Sequence, residues 1–124
     1  MIAVDSSTLI AYIQNDLGAD VDLLDAALDV GNIAISPVVL AEMLSEPQLP
    51  SEHAALVQNL PLLELQEGFW LRVARMRADI FSRKLRARLA DAMIAQSCID
   101  HDVALIARDG DFRHFAKYCG LKLA

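Results

Sequence analysis

Apolar positions along this chain fall into two rhythms. Three short unbroken runs, Ile2-Ala3-Val4, Ile33-Ala34-Ile35 and Val103-Ala104-Leu105-Ile106-Ala107, suit strands buried on both faces. Between them the apolar residues recur at helical spacing. Residues 7–14 read as a helix that Asp5 or Ser6 can cap. Asp20 precedes an amphipathic stretch with Val21, Leu24 and Leu28 on one face and Gly31 placed to end it. Ser36-Pro37 joins a capping hydroxyl to proline at the first helical position, which predicts a helix ending near Pro47. Ser51 begins another through about Asn59, and Leu62–Leu65 is a short strand candidate. Phe69, Val73, Met76 and Ile80 form a clear helical face, with Arg72, Arg75 and Asp79 opposite it toward solvent. A helix over about 88–100 and a last short one capped by Asp111 lead to Leu121-Lys122-Leu123.

Fully apolar strands alternating with helices imply a parallel sheet covered on both sides. The expected fold class is therefore α/β, a three-layer α/β/α sandwich around a short central parallel sheet. With no repeat, low-complexity tract or Gly/Ser linker, residues 1–124 read as a single domain. A hydrophobic fraction of 55% with 23% charged residues excludes a disordered chain. No run of about 18 uncharged apolar residues offers a membrane span. The start lacks the basic segment of a secretory signal, and Cys98 and Cys119 are too few for a disulfide framework. Reduced thiols and a cytoplasmic location are the expectation.

A net charge of −6 argues, taken alone, against a nucleic-acid partner. Its distribution changes the picture. Residues 1–71 carry eleven acids and no Lys or Arg, whereas residues 72–124 carry all eleven basic residues against six acids. A basic patch can thus exist on an acidic protein.

Three acids break the division into apolar core and charged surface. Asp5 ends the first apolar run, Glu42 interrupts Pro37-Val38-Val39-Leu40-Ala41 and Met43-Leu44, and Asp91 interrupts Leu89-Ala90 and Ala92-Met93-Ile94-Ala95. A buried carboxylate costs several kcal/mol unless paired, protonated or metal-bound. A fourth acid, Asp109, lies just past the strongest strand. In an open parallel sheet, sites form beyond the carboxyl ends of the strands, where these four can meet. Each also has a plainer reading: Asp5 as a helix cap, Glu42 on a solvated helix edge, Asp91 paired with Arg86 or Arg88, Asp109 as a turn residue beside Gly110. Jointly those readings require four coincidences at one end of one sheet. A convergent all-oxygen set calls for a hard divalent cation, Mg²⁺ or Mn²⁺, and the absence of His and Cys disfavours zinc.

On these residues the chain resembles the PIN-domain family, and within it the VapC-type toxin ribonucleases. The resemblance is strongest over Val4–Ile10, over Ser36–Leu44 and from Leu89 to Phe112, and rests on the ordered set rather than on any one motif. It implies that the family's acidic quartet falls on Asp5, Glu42, Asp91 and Asp109. These would hold one or two Mg²⁺ or Mn²⁺ ions and activate water to cut an RNA phosphodiester, with Asp5 and Asp91 as principal ligands. Ser6 or Ser7 matches a family position near the metal, able to donate to a ligand carboxylate or a phosphate. The family often has Thr or Ser two residues before the fourth acid, where this chain has Ala107, and Asp111 could supply the last carboxylate in place of Asp109. The resemblance further implies a VapB-like antitoxin whose C-terminal tail blocks the site, and a homodimer.

Seven of the eleven basic residues fall between Arg72 and Arg88. Of these, Arg86 and Arg88, immediately before the Asp91 segment, are the candidate RNA-backbone contacts, against the alternative of a solvated helix face and loop. Phe69, Trp70 and Phe81 follow the apolar spacing of their helix as core or dimer interface, Cys98 reads as a small core residue, and His53, His101 and His114 as isolated surface residues. The alternative function is a PIN-like domain without catalysis, acting as an RNA-binding or protein-binding module. A receiver domain would want adjacent acids after the first strand and a Lys after Val103–Ala107. A haloacid-dehalogenase-like phosphatase would want an Asp where Ser7 stands.

Overall fold

The structure, a computed structural model, describes residues 1–124. It contains strands β1 (Ile2–Val4), β2 (Ile33–Ala34) and β3 (Ala104–Ile106). The helices are α1 (Ser6–Ile13), α2 (Ala19–Asp29), α3 (Pro37–Leu44), α4 (Ser51–Gln58), α5 (Phe69–Ser82), α6 (Leu89–Asp100) and α7 (Arg113–Cys119). The sheet runs β2-β1-β3 and is entirely parallel, with Ile2 opposite Ile33 and Ala104, and Val4 opposite Ile106. Val4, Ile33, Ala34, Leu105 and Ile106 are all buried, the burial expected for a sheet with helices on both sides. The expected α/β sandwich is therefore the observed one.

Both crossovers deliver the chain back to parallel strands, so the carboxyl ends of β1, β2 and β3 share one edge. α6 is the central helix. Its Ala92, Ile94, Ala95 and Cys98 are buried, and it packs against α5 and α3. The α5 face is the one the spacing predicts, with Phe69, Val73, Met76 and Ile80 all buried. Cys98 lies in the core, where burial pushes its thiol up to about 12, and neither cysteine forms a disulfide. No helix is long and apolar enough to cross a membrane.

Three local expectations are corrected and a fourth is narrowed. Leu62–Leu65 is no strand: Leu62 makes one parallel bridge to Ile35. Ser36 caps α3 at the next residue, which turns the β2 segment out of the sheet and leaves nothing for Glu64 and Leu65 to pair with. Arg72 does not face solvent freely. Its Nε and Nη2 donate to the Asp100 carboxylate at 2.9 and 2.7 Å, because α6 lies against that side of α5. Asp111 does not cap α7. The Asp111 amide donates to Asp109 Oδ1 at 3.1 Å, so an Asp-centred turn occupies residues 109–111 and α7 begins at Arg113 without a side-chain cap. Of the three aromatics read as core or dimer interface, Phe69 lies inside, while Trp70 and Phe81 are exposed and keep only the interface alternative.

Candidate functional site

Asp5 is placed by β1 and held in place by the first turn of α1. Its amide donates to Ile106 O at 2.9 Å, extending the β1–β3 ladder, and its side chain is buried at 5% exposure. Oδ2 accepts from the Ser7 amide at 3.3 Å and from Ser7 Oγ at 2.8 Å, so Asp5 caps α1 as well as occupying the strand end. The cap reading and the site reading are thus compatible. Burial pushes the Asp5 carboxyl up, the Ser7 hydroxyl and amide pull it down, and the charge of Asp109 raises it again, leaving it above its ordinary value.

Asp91 lies in the first turn of α6, half-buried, with Arg88 at the N-cap position. Its carboxyl is raised to about 6, first by desolvation and then by the negative charges of Asp111, Asp5 and Asp109, with Arg88 opposing. No ion pair joins Asp91 to Arg86 or Arg88. Asp109, exposed at the end of the β3 segment, completes the group. Three acids from three separate stretches of chain therefore feel one another, and Asp111 joins them as a fourth.

Glu42 is placed differently. It is exposed on α3, so it does not suffer the burial its apolar neighbours suggested. Its Oε1 accepts from Ser6 Oγ at 2.9 Å, which ties it to the residue after Asp5. The two serines thus divide the work, with Ser7 on Asp5 and Ser6 on Glu42.

The donor set suits a hard cation in chemistry: all-oxygen, mutually repelling and partly desolvated. No three His, Cys, Asp or Glu side chains converge closely enough to hold an ion among them directly. Mg²⁺ generally takes only one or two carboxylates and keeps several waters, so the set fits an ion with few direct protein ligands. Asp5 and Asp91 are the two acids of the group whose carboxyls burial raises, and so the two best suited to such an ion.

Beside this acid cluster lies a cleft of about 240 Å³ lined by Arg86, Arg88, Asp91, Gly110, Asp111, Arg113 and His114, with no hydrophobic residue. Arg86 and Arg88 line the same cleft as Asp91. Arg113 and His114 were missed. The available signal was their place one turn beyond Asp109 and Asp111, at the start of α7. Three other arginines of the basic segment are used elsewhere. Arg72 holds Asp100, Arg77 donates to Ala87 O at 3.0 Å, and Arg83 lies 4.0 Å from the Tyr118 ring centroid.

A larger cavity of about 540 Å³ opens on the other side of Glu42, between α1 and the end of α3. Ile10, Ile13, Met43 and Leu49 form its apolar lining, and Glu42 and Glu46 add negative charge.

Comparison with known proteins agrees with the fold. Among solved structures, a chain of VapBC2 from Rickettsia felis, bound to a DNA fragment from its promoter, matches over 100% of this chain and 98% of its own. The TM-score is 0.76 and the identity 18%. A chain of VapBC-1 from nontypeable Haemophilus influenzae matches with a TM-score of 0.73 at 15% identity, over 100% of this chain and 97% of its own. DNA-bound VapBC from Salmonella typhimurium gives 0.72 at 19% identity, over 100% and 98%. At these identities the likeness is one of fold. A search of curated proteins by sequence found no significant match. The family model of the PIN domain matches residues 2–118, nearly the full length, and the chain belongs to the PIN-domain family.

Proposed function

We propose that this chain is a divalent-metal-dependent endoribonuclease, the VapC-type toxin of a toxin–antitoxin pair. Asp5 and Asp91 are its principal ligands for Mg²⁺ or Mn²⁺, with Glu42 and Asp109 as ligands or water-mediated contacts. The observation that carries this reading is the raised carboxyl of Asp91, half-buried and facing the charges of Asp111, Asp5 and Asp109. Such a cluster is unfavourable in the free protein, and a bound dication relieves it. Asp111 is the alternative fourth acid, since it shares the cleft with Asp91.

When bound, the ion supplies an acidified water and charge stabilisation on the phosphoryl oxygens. The remaining work belongs to the protein. Ser7 fixes the Asp5 rotamer by donating to Oδ2, and Ser6 turns Glu42 toward the same strand end. Arg86, Arg88 and Arg113 line the cleft where RNA phosphates would lie, able to neutralise backbone charge as they position the scissile bond. No nucleophilic side chain is required. The missing hydroxyl at Ala107 leaves Asp5 with a hydroxyl donor, because Ser7 supplies one.

Two partners complete the proposal. The groove beside Glu42 has the apolar floor and acidic rim that suit an amphipathic, basic segment, such as the tail of a VapB-like antitoxin. Exposed Trp70, Leu71, Phe81 and Leu89 offer apolar area for a homodimer.

The test is cleavage of RNA by the purified chain with added Mn²⁺ or with EDTA, alongside Asp5→Asn. We expect cleavage with Mn²⁺, none in EDTA and none by a folded Asp5→Asn. Cleavage that persists in EDTA, or proceeds at the parental rate in the variant, overturns the reading. Binding of RNA without cleavage identifies the non-catalytic module instead.

A further inference from the structure

One ion pair spans the site from outside it. Arg108 Nε donates to Asp20 Oδ2 at 3.0 Å, Nη2 to Asp20 Oδ1 at 3.1 Å and Nη2 again to Leu17 O at 2.8 Å. The pair joins the β3–α7 segment to the first turn of α2, 88 residues away in sequence. Thr8 Oγ1, completely buried, donates to the same Asp20 Oδ2 at 2.9 Å and so fixes the acceptor. The Arg108 amide donates to Ser7 Oγ at 3.2 Å, and Ser7 Oγ donates to Asp5 Oδ2 at 2.8 Å. An unbroken path therefore runs from Asp20 through Arg108 and Ser7 to Asp5. The residue after Arg108 is Asp109.

We infer that Arg108 is a positioning residue, which by its bidentate grip on Asp20 fixes the 107–111 segment so that Asp109 and Asp5 stand in a set relation. The guanidinium bonds Asp20 and Leu17 rather than any acid of the cluster, and Arg108 does not line the polar cleft. Its planar fork suits this task, because two parallel bonds define an orientation that one ammonium cannot. Ala107 sharpens the need. With no hydroxyl of its own there, the segment is tied to α1 through the Arg108 amide and to the start of α2 through the Arg108 side chain.

Gly18 supplies independent support. A Cβ at that position would lie 2.6 Å from Arg108 Nη2 and 2.6 Å from Asp20 Oδ1. The backbone leaves room there for the guanidinium, and a methyl at this φ of +158° would both strain the local backbone and displace the guanidinium, without touching any acid of the site.

This inference rests on the reading of the carboxylates as a metal site, and the experiment separates the two. Arg108→Met, Arg108→Lys and Gly18→Ala are compared with the parent by amide hydrogen exchange and by Mn²⁺ titration calorimetry, at a temperature where far-UV circular dichroism reports each as folded. We expect amide exchange at Arg108 and Asp111 to rise at least tenfold in Arg108→Met and Gly18→Ala, and Mn²⁺ affinity to fall about tenfold. Arg108→Lys, which keeps the charge but not the fork, should lie between them and the parent. A purely structural pair would lower the unfolding temperature and leave the Mn²⁺ affinity of the folded protein unchanged, and that result overturns the inference. So does parental exchange at Asp111 in Gly18→Ala. A parent that binds no Mn²⁺ instead overturns the metal reading, and the exchange measurement then decides whether Arg108 orders the segment. Should Arg108→Met fail to fold, Arg108→Lys and Gly18→Ala carry the same comparison.

Discussion

Replacing Asp91 with Asn should make the metal-free protein more stable while abolishing its activity. Asp91 accepts no side-chain hydrogen bond from the protein, so Asn forfeits none, and it removes a charge that faces Asp111, Asp5 and Asp109. The carboxyl moves from 3.8 to about 6 on folding. Roughly two pH units correspond to about 3 kcal/mol as an upper bound. Asp91 is partly exposed, and solvent screening reduces this to about 1–2 kcal/mol. For a chain of this length that is a rise in Tm of about 4–8 °C. The sign comes from linkage. A folded-state value above the unfolded one means that the ionised group costs stability above about pH 6, and the cost vanishes as pH falls toward 4. The variant's advantage should therefore be full at pH 8 and nearly absent at pH 4. Thermal unfolding followed by circular dichroism in EDTA, at several pH values, measures it. Mn²⁺ should then invert the order, since a ligand at 100 times its Kd adds about 2.7 kcal/mol to the parent and little to the variant. A variant no more stable than the parent at pH 8 in EDTA, or an advantage independent of pH, would refute the reasoning.

Two further outcomes depend on the charges. Arg86→Gln with Arg88→Gln should weaken RNA binding and flatten its salt dependence by about 1.4 in the logarithmic slope, at about 0.7 per phosphate contact on a single strand. Filter binding across salt concentrations checks this, and an unchanged slope would place both arginines outside the RNA path. Arg72→Ala should lower Tm at neutral pH, because Asp100, with a side chain only 7% exposed, loses its bidentate partner. Burial pushes the Asp100 carboxyl up, yet Arg72 and Gln96 together hold it below its ordinary value. The pair's contribution is therefore present at neutral pH and lost as the solution is acidified below about pH 4, where parent and variant should converge in thermal unfolding.

The parallel sheet was legible because its strands are buried on both faces, and such strands must be apolar throughout. The α5 stripe was legible for the same reason at helical period. What escaped sequence reading depended on pairing between distant segments. Arg72 reads as a solvent residue until α6 is laid against α5 and brings Asp100 to it. Asp111 before Phe112 reads as a cap, and only the fold shows its amide already taken by Asp109. The acids fared unevenly for a physical reason. Apolar neighbours report burial well on a strand, where both faces are covered, and Asp5 is buried accordingly. They report it poorly on a short helix with an open edge, and Glu42 is exposed amid Val, Leu, Ala and Met. Asp20 belongs to an acidic stretch that looked like plain solvation, and its partner lies 88 residues away.

The partition of charge, rather than its total, decides how an acidic chain of this kind could meet RNA. Four of the basic residues, Arg72, Arg83, Arg108 and Lys122, are already joined to acids. Each such pair presents little net field beyond a Debye length of about 8–10 Å. Arg86, Arg88 and Arg113 have no acidic partner within ion-pair distance, and all three line the cleft that contains Asp91 and Asp111. In the free protein their charge meets the acid cluster and partly offsets it, as the downward pull of Arg88 on the Asp91 carboxyl illustrates. With a dication at the carboxylates that local balance would tip positive, and the same arginines would face the proposed RNA phosphates without opposition. Metal and RNA should therefore bind with positive coupling, each raising the affinity for the other by the same factor. RNA affinity of Asp5→Asn, which retains the arginines but loses a proposed principal ligand, should accordingly be insensitive to Mn²⁺ where the parent's is strengthened. An equal response in both would locate the coupling outside this site.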